Sequence, residues 1–207
     1  MKVKEIYVGE NKEIPSVATQ VINIILAECD IQCLQCQYSN CAEYEMSIDS
    51  IVNKVKGLSP DNVFIVGGEL AIFNNLPILC GALLSLNKTV YLKINGAIPL
   101  STIPDGIHKI IKIIIPENLD AEKNFDFLYV ENLSLIEKND FLELSLTSPA
   151  KMENAVNFVH DLEFHELEIG IIFLIDSNAI DYAESVKKIK GILKTERTKS
   201  ILHFVNK

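Results

Sequence analysis

The chain has 207 residues, 48% of them apolar, and carries no Gly/Ser-rich or Pro-rich linker. Acidic side chains outnumber Lys plus Arg by 28 to 19, and Arg197 is the only arginine, which argues against broad recognition of nucleic-acid phosphates. The longest apolar runs fall far short of the roughly 18 residues that cross a bilayer, and the N-terminus lacks a signal-peptide pattern. We therefore expect one cytoplasmic domain over residues 1–207, with its core at about 21–193 and no membrane contact.

Strand and helix patterns alternate along the chain. The first half predicts a strand over 21–26, a helix over 48–56 between Ser47 and Gly57, a strand over 62–66, a helix over 75–86, and strands over 89–94 and 109–115. The second half predicts a strand over 141–146, a helix over 151–162, a strand over 168–175 and a helix over 179–193, whereas residues 117–139 show no clear pattern. This alternation predicts an α/β fold, a partial (β/α)6 barrel with parallel strands inside and helices outside.

Three short motifs follow three successive predicted strands. Cys29, Cys33 and Cys36 come after the first strand, Gly67-Gly68-Glu69 after the second, and Asn95-Gly96 after the third. Because the carboxyl ends of parallel strands meet at one edge of a sheet, we expect these motifs at one mouth of the barrel.

The cysteine spacing indicates metal ligation. Three of the five cysteines fall within eight residues, which suits a reducing compartment better than a disulfide framework. Three thiolates on one loop can bind three corners of an iron-sulfur cube and leave the fourth iron for a small molecule. Structural zinc is the main alternative, with Cys41 as the fourth thiolate.

Together, these three motifs resemble the radical S-adenosylmethionine (radical SAM) enzymes over residues 21–96. The resemblance implies that Cys29, Cys33 and Cys36 hold a 4Fe-4S cluster whose open iron binds S-adenosylmethionine (SAM). It also implies an enzyme that works anaerobically, cleaves SAM reductively to a 5'-deoxyadenosyl radical and takes its electron from a flavodoxin or ferredoxin.

The same resemblance assigns the SAM contacts. Gly67 and Gly68 let the backbone approach the methionyl end, Glu69 faces its ammonium, and Asn95 donates to the carboxylate or ribose. Gln35 stands where the family usually carries an aromatic residue near the adenine. With arginine nearly absent, a substrate carboxylate would meet a lysine, such as Lys93 or Lys112.

The length fits two compact kinds of radical SAM enzyme. The Asn-Gly turn followed closely by Pro99 favours a resemblance to 7-carboxy-7-deazaguanine synthase, which acts on a small molecule in deazapurine synthesis with SAM and Mg²⁺. The activating enzymes of glycyl-radical enzymes, which act on a protein, are the alternative, because neither kind's full set of motifs is present. A relative that keeps the fold as a binding or regulatory protein is a third reading. The motifs fit either a lyase or an oxidoreductase and either a monomer or a homodimer, and they name no catalytic residue.

Overall fold

A computed structural model describes residues 1–11, 13–14, 20–27, 42–67, 75–96, 99–117, 130–161, 169–194 and 201–206. The chain divides into two compact units. The first comprises Met1–Ile94 and Leu100–Lys109, and the second comprises Asn95–Pro99 and Ile110–Lys207. Strands alternate with helices along most of the chain, which is the α/β class predicted from the sequence.

The first unit is built on a sheet with the strand order β3-β1-β2-β4-β5. The strands are β1 (Lys2–Glu10), β2 (Gln20–Leu26), β3 (Tyr44–Glu45), β4 (Asn62–Val66) and β5 (Thr89–Asn95). β1 runs antiparallel to β2 and β3, whereas β2, β4 and β5 run parallel to one another. The carboxyl ends of β2, β4 and β5 therefore share one edge of this sheet.

Two helices connect these parallel strands. In α1 (Ile48–Lys56), the Ser47 side chain accepts a hydrogen bond from the N–H of Ser50 at 3.1 Å, which is the N-cap expected from the sequence. α2 (Leu76–Ser85) carries a proline in its first turn, where no backbone N–H is needed. The two helices contact each other, and each buries a set of apolar side chains: Ile51 and Val55 in α1, and Leu76, Leu79, Cys80 and Leu83 in α2.

The second unit has a parallel sheet with the order β6-β7-β8-β9. Its strands are β6 (His108–Ile113, which begins in the first unit), β7 (Phe141–Leu146), β8 (Gly170–Ile175) and β9 (Ile201–Asn206). Its helices are α3 (Pro149–Asp161), α4 (Tyr182–Lys194) and a 3-10 helix, Val130–Leu135. The rings of Phe173 and Phe204 stack 5.6 Å apart, which joins β8 to β9.

One face of the first unit's sheet carries several polar side chains. Along β5, the side chains of Val90, Leu92 and Ile94 are buried, whereas Tyr91 and Lys93 on the opposite face are half-buried. A parallel strand covered by helices on both faces is apolar throughout, so this alternation indicates that one face of β5 is not packed in that way. The strand register aligns Tyr7, Asn23, Phe64 and Tyr91 across this face, and Lys93 lies two residues nearer the carboxyl edge. We call this face, with its polar residues Tyr7, Asn23, Tyr91 and Lys93, the polar face.

Every predicted strand and helix is present, and the largest shift is at α4, which begins at Tyr182 instead of residue 179. The sequence patterns did not predict β1, β3, β9 or the 3-10 helix. A bulge between Val3 and Glu5 breaks the alternation that identifies a strand, and β3 has only two residues. In the part of the chain that the structure describes, no helix has the length and apolarity of a membrane span.

Candidate functional site at the carboxyl ends of the strands

Two of the predicted site residues, Gly67 and Asn95, lie within the described part of the chain. The remaining predicted site residues lie outside the described residues: Cys29, Cys33, Gln35, Cys36, Gly68 and Glu69. Their placement as cluster and SAM ligands remains a prediction. Within the described ranges, no group of three or more His, Cys, Asp or Glu side chains is arranged to hold a metal ion.

Gly67, directly after β4, lies against the end of β2. Its φ of +105° is one that residues with a side chain rarely adopt. A Cβ at this position would lie 3.2 Å from the backbone N and 3.3 Å from the carbonyl carbon of Leu26, and closer still to the Leu26 oxygen. Glycine is therefore required here both by the backbone conformation and by the space available.

Leu26 is the last residue of β2, and the predicted cysteine segment begins three residues later. The next residue, Ala27, is buried, and its N–H donates to the carbonyl oxygen of Lys2 at 2.9 Å. The chain is thus held at a fixed point just before the cysteines. Because Gly67 touches Leu26, the segments that lead into the first two motifs start from neighbouring points.

The Asn95-Gly96 turn is held from two sides. The Gly96 N–H donates to the carbonyl oxygen of Lys112 in β6 at 2.8 Å. The Gly96 carbonyl oxygen accepts from the side-chain amide of Asn132, in the 3-10 helix, at 2.8 Å. Asn95 itself is the half-buried last residue of β5. Its backbone is therefore fixed at the carboxyl end of β5.

An ion pair lies on the polar face. The Nζ atom of Lys93 lies 2.6 Å from Oε2 of Glu13, and the two side chains are 16% and 35% exposed. The Glu13 N–H donates to the side-chain oxygen of Asn11 at 2.7 Å, and the Asn11 amide donates to Oδ1 of buried Asn23 at 3.2 Å. This chain of hydrogen bonds holds the carboxylate beside β2 and β5.

Two tyrosines belong to the polar face. The Tyr91 ring lies 5.0 Å from the ring of His108, measured between centroids. Burial raises the pKa of Tyr91. Burial, and next the charges of Glu5 and Glu13, raise the pKa of Tyr7. Both phenols therefore stay protonated at neutral pH and can donate hydrogen bonds to a ligand.

Cys80 is the one cysteine within the described residues, and it is separate from this site. It is buried in α2, and burial raises the pKa of its thiol to about 12. A thiol with that pKa stays protonated at neutral pH, whereas the thiolate is the nucleophilic form. Cys80 is thus a small buried apolar residue of α2.

Sequence reasoning overlooked Glu13, Asn23 and Asn132. A signal for Asn23 was present, because it is the one polar residue in the apolar run of 21–26. Glu13 and Asn132 carry no comparable signal, since each acts through a partner distant in the sequence, Lys93 and Gly96 respectively.

Comparison with known proteins gives matches in structure only, because no family model and no curated protein sequence matches the chain. QueE from Escherichia coli aligns with 98% of this chain and 92% of its own, with a TM-score of 0.67 and 13% identity. SuiB from Streptococcus suis, bound to S-adenosylmethionine, aligns with 90% of this chain at a TM-score of 0.61 and 15% identity. Both are radical SAM enzymes. The chain has the radical SAM fold.

The partial-barrel prediction is thus confirmed, including its likeness to a 7-carboxy-7-deazaguanine synthase, which QueE is. SuiB bound to its precursor peptide SuiA matches with a TM-score of 0.63 and 13% identity over 88% of this chain. The chain spans 48% of that SuiB chain and 51% of the SAM-bound one. At these identities the likeness establishes the radical SAM fold alone.

Proposed function

We propose that this protein is a radical SAM enzyme that binds a 4Fe-4S cluster through Cys29, Cys33 and Cys36. The contact between Gly67 and Leu26 carries the proposal, since it brings the origins of the cysteine and Gly-Gly-Glu segments together. Only a glycine fits there, because its φ is positive and a Cβ would meet the Leu26 backbone. Zinc held by closely spaced cysteines would give no account of a Gly-Gly-Glu segment after the next strand.

Different residues of the chain contact different parts of SAM. The backbone at Gly67 and Gly68 accommodates the methionyl end, Glu69 accepts from its ammonium, Asn95 donates to the carboxylate or ribose, and Gln35 packs near the adenine. The cluster, when bound and reduced, supplies the electron that cleaves the SAM sulfonium bond and yields the 5'-deoxyadenosyl radical. A flavodoxin or ferredoxin in the cytoplasm is the proposed electron donor.

A small molecule is the proposed substrate, in a reaction like that of 7-carboxy-7-deazaguanine synthase. The match to QueE over nearly the full length of both chains supports this assignment. The polar face supplies groups suited to such a substrate. The Lys93 ammonium can bind an anionic group, Glu13 can bind a cationic or N–H group, and the Tyr91 phenol can donate a hydrogen bond. Mg²⁺ is a proposed further cofactor by the same analogy.

A peptide or protein is the second candidate substrate. The likeness to SuiB, which binds the precursor peptide SuiA, favours a peptide or protein substrate. The enzyme of this kind that the sequence suggests is an activating enzyme of a glycyl-radical enzyme. Turnover of 6-carboxytetrahydropterin separates the two candidates. Product formation supports the synthase-like reaction. No product, with a glycyl-radical enzyme encoded beside this gene, supports the activating enzyme.

Metal analysis of anaerobically purified protein tests the cluster. We expect about four iron and four sulfide per chain, as one cubane cluster requires. Cys36→Ala should abolish that content and Cys41→Ala should preserve it. Stoichiometric zinc without iron, lost equally in both variants, would instead establish a four-thiolate zinc site.

A further inference from the structure

Asn132 connects the 3-10 helix Val130–Leu135 to the turn that follows β5. Its side-chain amide nitrogen lies 2.8 Å from the carbonyl oxygen of Gly96, and the side chain is fully buried. The two residues are 36 positions apart in the sequence. A hydrogen bond shielded from water in this way is stronger than an exposed one, and losing its donor leaves a buried carbonyl without that partner.

This bond completes the restraint of the peptide groups next to Asn95. The peptide between Asn95 and Gly96 is planar, so the bond from the Gly96 N–H to Lys112 also fixes the orientation of the Asn95 carbonyl. The bond from Asn132 fixes the following peptide through the Gly96 carbonyl. With β5 ordering the residues before it, Asn95 has its backbone held on both sides.

Other polar residues of the second unit hold the backbone at different places. The Asn154 amide donates to the carbonyl oxygens of Pro116 and Glu117, beyond β6. The buried Asp140 carboxylate accepts from the Glu137 N–H, just before β7 begins. Asn132 differs from both because its target adjoins a proposed SAM ligand. Asp140, at the amino end of its strand, is therefore a matched structural control.

We infer that Asn132 is a positioning residue for SAM binding, which acts by fixing the Asn95-Gly96 turn. The inference rests on the proposed function, in which Asn95 contacts SAM. Asn132 needs no contact with SAM itself. It sets the direction in which the Asn95 side chain leaves the strand end, and misplacing a binding group by an ångström is enough to weaken its interaction.

Asn132→Asp tests the inference, because it keeps the shape of the side chain and replaces the donating NH₂ with an oxygen that, in the carboxylate form, cannot donate to Gly96. We would measure SAM affinity by calorimetry on cluster-reconstituted protein, the KM for SAM in 5'-deoxyadenosine formation, and urea unfolding. Asn132→Asp should raise the Kd and the KM for SAM by at least about 10-fold. At saturating SAM, kcat should change much less. Asp140→Ala should lower stability but keep both constants within about twofold of wild type.

Equal SAM affinity in wild type, Asn132→Asp and Asp140→Ala would overturn the inference while leaving the proposed function intact. Equal weakening in both variants would also overturn it, since loss of stability would then explain the effect. If Asn132→Asp does not fold, Asn132→Ser, which retains a hydroxyl donor on a shorter side chain and adds no charge, takes its place in the same comparison. Wild-type protein that neither binds SAM nor forms 5'-deoxyadenosine would refute the proposed function and this inference with it.

Discussion

Gly67→Ala is the sharpest structural test of the strand-end site. The substitution adds a single carbon at a φ of +105°, against the backbone of Leu26. Holding a residue with a side chain in a sparsely populated region of this kind costs about 1–3 kcal/mol. The Leu26 backbone belongs to a buried strand and cannot move aside as the end of a flexible side chain would, so the added contact raises this cost further.

We therefore expect Gly67→Ala to lower the free energy of unfolding by about 3 kcal/mol, the upper part of that range. For a chain of this size, 1 kcal/mol shifts the melting temperature by about 2–4 °C, so a loss of roughly 6–12 °C is expected. Urea unfolding and thermal melts monitored by circular dichroism measure both quantities. SAM affinity should fall as well, because the strain is relieved by moving the segment that leads into Gly68 and Glu69.

Gly81→Ala is the matched control for this substitution. Gly81 lies within α2, and a Cβ there meets no atom within 4 Å. The same chemical change should raise stability by about 0.5–1 kcal/mol, because alanine favours the helix. Gly67→Ala protein that unfolds at the wild-type urea concentration and binds SAM normally would refute the close approach between β4 and β2.

Three further predictions concern residues away from Gly67. Lys93→Met should lower kcat/KM for an anionic substrate by at least about 10-fold, and should change stability by no more than about 1 kcal/mol because its partner Glu13 is partly exposed. The control is Lys88→Met. Lys88 lies at the amino end of β5 and donates to the Pro60 carbonyl oxygen, so its replacement should leave kcat/KM unchanged. Equal activity losses in both variants would contradict a binding role for Lys93. Because burial raises the pKa of Cys80 from 9.0 to about 12, the unfolded state loses its thiol proton first, and stability should fall as pH rises above about 9. In Cys80→Ala the fall in urea midpoint between pH 8 and pH 10 should be smaller, and an identical fall would argue against this assignment. Ser47→Ala should cost about 1 kcal/mol in urea unfolding through loss of the α1 cap, and an unchanged midpoint would show that the cap does not stabilise the helix.

The parallel strands and their helices were predictable because each carries its own local signal. β2 is a run of apolar residues, α1 begins at a capping serine, and β8 is apolar throughout. β9 was not predicted, because it follows the last helix without a local signal of this kind. β1 was hidden because its bulge shifts the side-chain alternation, and its membership in the sheet depends on pairing with β2.

The site was predictable only where its signals come from residues that lie close together in the sequence. Gly67 follows β4 and Asn95 ends β5, and both strands could be identified, so their places at carboxyl ends of strands could be expected from the sequence. The partners that hold them could not. Asn132 reaches Gly96, and Glu13 reaches Lys93 across 80 positions. Such pairs arise from tertiary packing, and a single sequence contains no periodic pattern that marks them.

Formation of 5'-deoxyadenosine tests the central claim most directly. Protein reconstituted with iron and sulfide under anaerobic conditions, then given SAM and a strong reductant, should convert SAM to 5'-deoxyadenosine without any added substrate. Cys36→Ala treated in the same way should form none. Reconstituted wild-type protein with a full complement of iron and sulfide that leaves SAM intact, or a Cys36→Ala variant that cleaves it equally well, would contradict the account.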